Sequence, residues 1–148
     1  MTGTKAVQFS TLPAVASDSW TGAPAGTGTG HVHFYVNDLA EASRFYHAAL
    51  GMDLVTWRFP GALFVSAGGY HHHVGLNVWA AGSPVASKEN ARLLYWELVL
   101  PTEEEVERVA SGLRGAGYLR TTTAKGAPSF SDEWGITVAL RAETASGT

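Results

Sequence analysis

His31-Val-His-Phe-Tyr-Val36 and, about 64 residues further on, Tyr95-Trp-Glu-Leu-Val-Leu100 are the two segments that decide the fold. Each alternates with a period of two, which in an extended chain sends successive side chains to opposite faces. Val32, Phe34 and Val36 share one face of the first segment; His31, His33 and Tyr35 share the other. In the second, Trp96, Leu98 and Leu100 oppose Tyr95, Glu97 and Val99. Both segments run into a helix start. Asp38 with Glu41, and Thr102 with Glu105, have the spacing of a capping box. The first helix has an apolar face of Leu39, Ala42, Phe45 or Tyr46, and Ala49; the second has Val106, Val109, Ala110 and Leu113. Gly51 and Gly117 are natural stops.

The same offset carries Val74-Gly75-Leu76 onto Val138-Ala139-Leu140, so the chain reads as an internal repeat. Further strands are expected at 54–58 and 62–67, and from the histidine run to about residue 79. In the second half they are expected at 118–122, 129–131 and 136–141. The expected fold class is α+β: two paired βαβββ units forming a curved sheet that encloses a cleft, with helices outside. Unit one covers about 30–79, a linker about 80–92 and unit two about 93–142, all in one domain over 30–148. Residues 1–29, rich in Gly, Ala, Thr, Ser and Pro, read as an extended arm, either pinned by Trp20 to the body or to a second subunit or else a mobile tail. The cleft would receive His31, His33, Tyr35, Tyr95, Glu97 and Val99.

His71-His72-His73 follow a Gly68-Gly69 turn. In a strand, either His72 alone or His71 with His73 faces a given side, so the three cannot all serve one site. With 148 residues the chain suits one domain with a sizeable core. There is no cysteine, which leaves histidine, carboxylate and tyrosine as ligands. A net charge of −3 without a basic run argues against nucleic acid and membrane surfaces as partners. No leader-like segment is apparent, and a cytoplasmic location is expected.

Paired βαβββ units carrying Gly30-His31-Val-His33, Phe45-Tyr46, Leu50-Gly51 and Ala67-Gly-Gly-Tyr-His-His-His-Val-Gly-Leu-Asn77 resemble the vicinal oxygen chelate superfamily. That superfamily includes glyoxalase I, bleomycin-resistance proteins and extradiol dioxygenases. The chain is most similar to the C-terminal half of two-domain catechol 2,3-dioxygenase-like proteins, with a linker-like segment at residues 20–27. The resemblance implies a divalent metal held by two histidines and a glutamate. Its positions fall on His31, which is present, and on Tyr95 and Ala139, which depart from the pattern; the extra glutamate of glyoxalase-type sites falls on Gly75.

Three functions follow as expectations. The leading one is metal-independent acid–base chemistry (isomerisation, cyclisation or dehydration) on an aromatic or polyketide-like compound. Glu97 would be the base, His31, His33 or His72 the proton partner, and Tyr95 an orienting donor. Tyr35, His73, Asn77, Trp79, Trp57 and Arg141 are the candidate substrate contacts. The second function is sequestration of such a compound without turnover. The third is a metal-dependent dioxygenase or lyase whose Fe, Mn or Zn is held by a rearranged set, His31, His33, His73 and Glu97. No cofactor is favoured in the leading reading, and a homodimer is expected. Glu97 also shares a face with Arg141, which makes a salt bridge the alternative role for both.

Overall fold

The computed structural model describes residues 21–56 and 58–143. Trp20, most of the expected arm and Trp57 lie outside the described residues. Residues 21–29 are exposed and carry no helix or strand.

Unit one runs β1 (Val32–Tyr35), α1 (Leu39–Ser43) continuing into a π-helical turn (Arg44–Ala49), β2 (Asp53–Thr56), β3 (Ala62–Ser66) and β4 (Val74–Asn77). Unit two runs β5 (Trp96–Leu100), α2 (Glu103–Gly115), β6 (Thr121–Thr122), β7 (Pro128–Ser131) and β8 (Thr137–Ala142). Each unit forms its own four-stranded sheet, ordered β1-β4-β3-β2 and β5-β8-β7-β6. The β1–β4 and β5–β8 pairs are parallel and the rest are antiparallel. The repeat extends to register. Val32 pairs with Val74, and the residues at the repeat offset from both, Trp96 and Val138, pair with each other.

The helix starts behave as their sequences dictate. Asp38 Oδ1 accepts from the N–H groups of Ala40 and Glu41 at 2.7 and 3.0 Å, and Thr102 Oγ1 accepts from Glu105 N–H at 3.2 Å. Each contact pairs an amide that the helix cannot satisfy, worth about 1 kcal/mol. Gly51 and Gly117 end their helices at φ 87° and 92°, a region costly for any residue with a Cβ.

Three expectations are corrected. The strand expected from the histidine run begins at Val74, so residues 71–73 belong to an irregular connection and strand alternation does not govern them. The first helix widens after Ser43: Leu50 N–H donates to Phe45 C=O, a five-residue step, and both Phe45 and Tyr46 are buried where one was expected. The strand expected over 54–58 is Asp53–Thr56, with an irregularity between Leu54 and Thr56 and all four residues exposed.

One core joins the units. Phe34, Val36, Phe45, Tyr46, Leu63, Leu76, Val106, Leu113, Phe130, Val138 and Leu140 belong to a single buried cluster. Each of the larger side chains contributes roughly 1.5–3 kcal/mol by leaving water. The helices approach so closely that a Cβ on Gly112 would stand 3.2 Å from the Ala49 carbonyl oxygen. With one face of each sheet on this core, the other is left open, and Tyr35 and Val99 on the open faces are 64% and 44% exposed.

Tyr46 and Asp132 tie the units together with a buried hydrogen bond of 3.0 Å, the tyrosine hydroxyl donating to Oδ2. Burial, then the Asp132 charge and this bond, hold the Tyr46 pKa well above its ordinary value. The folded chain therefore keeps a proton that the unfolded chain releases above about pH 10. The stabilisation is fully present below that pH and is lost as pH rises through the folded-state value. Unfolding free energies from urea titrations should stay level from about pH 8 to about 10 and then fall toward a slope of about 1.4 kcal/mol per pH unit. Tyr46→Phe should flatten much of that slope, although Tyr118, also raised by burial, adds to it.

Candidate functional site

Parallel pairing of β1 and β4 puts their N-terminal ends at the same edge of the first sheet. Val32 N–H donates to His73 C=O at 3.0 Å, fastening the start of β1 to the connection before β4. His31, just ahead of β1, is thereby set beside the histidine run. The His31 and His72 rings lie 4.7 Å apart, His71 and His72 4.5 Å, His31 and His33 5.1 Å, and His33 and His72 5.5 Å. Phe64 on β3 closes the group, 5.0 Å from His72 and 5.9 Å from His33.

Gly75 makes this packing feasible. It pairs with His33 on one side and Phe64 on the other, and a Cβ there would lie 2.5 Å from His33 Cε1. The histidine ring fills the room a side chain at position 75 would need. In Gly75→Ala the half of the clash that can yield is the His33 ring, which is exposed and free to swing outward. The expected result is a fold within about 1 kcal/mol of wild type but at least a tenfold weaker ligand affinity, read by urea denaturation and calorimetric titration.

His72 is half-buried, and its Nε2 is shut off from solvent with no hydrogen-bond partner. Burial, then the charges of His71, His31, His33 and His73, lower its pKa. At neutral pH it is therefore a neutral imidazole that can take a proton or a ligand. His73 is turned away: its Nδ1 accepts from Ala67 N–H at 3.2 Å and lies 2.9 Å from Ser66 Oγ. His47 lies on the π-helical turn with Nδ1 2.6 Å from Met52 C=O.

The other expected site residues are dispersed. Glu97 lies on β5 in the second sheet, where Arg141 Nε donates to its Oε2 at 3.1 Å, the alternative pairing their shared face suggests. Both side chains are more than a third exposed, so the pair is worth about 0–1 kcal/mol. Tyr95 is half-buried next to that strand. Asn77 is buried, and its Oδ1 accepts from Trp79 N–H at 3.2 Å in the turn after β4. Trp79 is 62% exposed beside Phe59. Tyr35 borders a separate cavity of about 250 Å³ under the linker, with Arg92, Leu93 and Trp134 among its other walls; none of the clustered histidines lines it. The set His31, His33, His73 and Glu97 does not converge. Among the described residues, the histidines and acids whose ligand atoms do come together are His31, His71 and His72, all within 4.8 Å of one another. His71, which is in none of the candidate sets drawn from the sequence, is the member that strand alternation hid.

Residues 28–140 match the glyoxalase/bleomycin resistance protein/dioxygenase superfamily, and the chain belongs to it. Over 100 residues it is 48% identical to catechol-2,3-dioxygenase of Bacillus subtilis (strain 168). That match covers 66% of this chain but 35% of the relative, so the chain spans about a third of its length. The fosfomycin resistance protein FosX of Mesorhizobium loti superposes with a TM-score of 0.57 at 15% identity, covering 80% of this chain and 93% of that one. Lactoylglutathione lyase of Agrobacterium tumefaciens gives 0.57 at 15% identity, covering 84% and 100%. At such identities these two structures speak for the fold alone.

The superfamily's use of divalent metals poses a test of fit. The strand positions fail it. Ala139 is buried and has no donor, and Gly75 has none either, its side-chain space being filled by the His33 ring. No reaction step is therefore routed through a metal held there.

Proposed function

We propose that this protein acts on a small, flat, oxygenated compound held against the open face of the first sheet, with an imidazole of the histidine cluster moving the proton. The convergence of His31, His33, His71 and His72 beside Phe64 supports this reading. Phe64 offers an aromatic wall, and His72, with its ring 5.0 Å away and its pKa lowered, offers a base beside that wall. The relative's name points to an aromatic ortho-diol as the compound class. Glu97 is left out of the chemistry because Arg141 occupies it. The open faces of the two sheets, with Tyr35 and Val99 exposed, are where a second copy would close the cleft, which keeps the expected homodimer as part of the proposal.

The test is calorimetric titration of an aromatic ortho-diol, followed by mass spectrometry for product. Saturable binding that weakens at least tenfold in Phe64→Ala and His33→Ala, and persists in Glu97→Gln, is the expected result. Loss of binding in Glu97→Gln with His33→Ala unaffected would move the site to the second sheet. The missing donors at Ala139 and Gly75 favour sequestration as a second reading. Binding with no product on prolonged incubation would establish it.

A further inference from the structure

We infer that His31, His71 and His72 form a site for one divalent first-row transition metal at the edge of the first sheet. The inference deepens the reading above by adding a metal to the same cluster, and it rests on that reading only for its functional meaning. The ligand set is new relative to the strand positions: one histidine precedes β1 and two belong to the connection before β4.

Three observations carry it. The first is geometric. One nitrogen from each ring lies within 4.8 Å of the other two. Nitrogens around a tetrahedral zinc at about 2.0 Å stand roughly 3.3 Å apart, so the rings have to close by roughly 1.5 Å. His31 and His71 are exposed and can turn by that much without disturbing the core. The second is the unpartnered Nε2 of His72. A polar atom shut away from water without a partner is rare in a native fold, and a metal ion supplies the missing partner. The third is the donor chemistry. Three imidazole nitrogens without a carboxylate do not suit calcium or magnesium, which require oxygen ligands. They suit zinc, cobalt, nickel or copper, and leave coordination positions open toward solvent for water or an oxygenated ligand. With a metal bound, His33 rather than His72 is the imidazole left free to move a proton; in the metal-free protein His72 keeps that role.

A run of adjacent histidines takes up nickel or copper even in an unfolded peptide, and the structure separates the two situations. A peptide-like site uses His73 as readily as His71 or His72 and ignores His31. The folded site depends on His31 and does without His73, whose Nδ1 is held by Ala67 N–H.

The experiment is titration of tag-free full-length protein with Zn²⁺ or Co²⁺ alone, by calorimetry and by the visible spectrum of bound cobalt. One ion per chain is expected. His31→Ala, His71→Ala and His72→Ala should each weaken binding at least tenfold, while His73→Ala and His47→Ala leave it within twofold. Circular dichroism confirms that each variant is folded, and His31→Gln provides a gentler second probe. Absence of saturable binding at one ion per chain, or equal losses in His31→Ala and His73→Ala, overturns the inference. Metal binding without diol binding upholds the metal site and removes the functional reading; diol binding without metal binding does the reverse.

Discussion

Asp132→Ala should destabilise the protein by about 3–5 kcal/mol, the largest loss expected from any single polar substitution here. The carboxylate has three donors. Tyr46 hydroxyl reaches Oδ2 at 3.0 Å, and the N–H groups of Trp134 and Ile136 reach Oδ1 at 3.0 and 2.9 Å. These contacts shape the turn into β8 and fasten it to the π-helical turn of unit one. Tyr46 is fully buried, so its hydroxyl cannot fall back on water once Asp132 is gone. An unsatisfied buried group of that kind costs about 1–3 kcal/mol by itself. The loosened turn adds the rest. Asp132→Asn retains an acceptor for the two amides and an amide that the tyrosine oxygen can receive, so about 1 kcal/mol is expected. Urea denaturation of the two variants separates the cases. Equal small losses in both would mean that the turn holds its shape without the side chain.

His72→Ala should lower turnover of the cognate compound by about 10²–10⁴-fold, the range associated with a positioned acid–base group. Stability should stay level or rise slightly. The side chain has no hydrogen bond from Nε2 to lose, and burying an unpaired nitrogen already costs the folded state. A loss of activity together with a loss of several kcal/mol would point instead to a packing role for the ring. Because lowered pKa and unpaired nitrogen occur in the same residue, function and stability are expected to move in opposite directions at this position.

The sequence made most of the architecture legible. Period-two alternation at Val32–Tyr35 and Trp96–Leu100 and the caps at Asp38 and Thr102 are local signals. The shared offset, carried through to Val74 and Val138, turned them into a duplicated unit. The site was harder to read. Its membership depends on β1 and β4 beginning at one sheet edge, a long-range pairing that brings His31 to His72 across 40 intervening positions. The histidine run misleads because the Gly68-Gly69 turn suggests a strand starting at the histidines, whereas the chain enters β4 only at Val74. Once the backbone leaves the extended form, neighbours such as His71 and His72 can face the same space. Glu97 and Arg141 show the converse. Their common face was legible, and the choice between catalytic base and ion pair required the actual contact of 3.1 Å. The widened turn at Arg44–Ala49 left no distinct mark in the sequence beyond two adjacent aromatic rings competing for one face.

The histidine cluster as functional centre is tested most directly by nitrogen-resolved NMR of the histidine rings while the aromatic ortho-diol is titrated in. The account predicts that His31, His33 and His72 shift with a common saturation curve while His47 stays fixed. Silent histidine rings, with saturating shifts at Arg92 and Trp134 around the cavity under the linker, would contradict it.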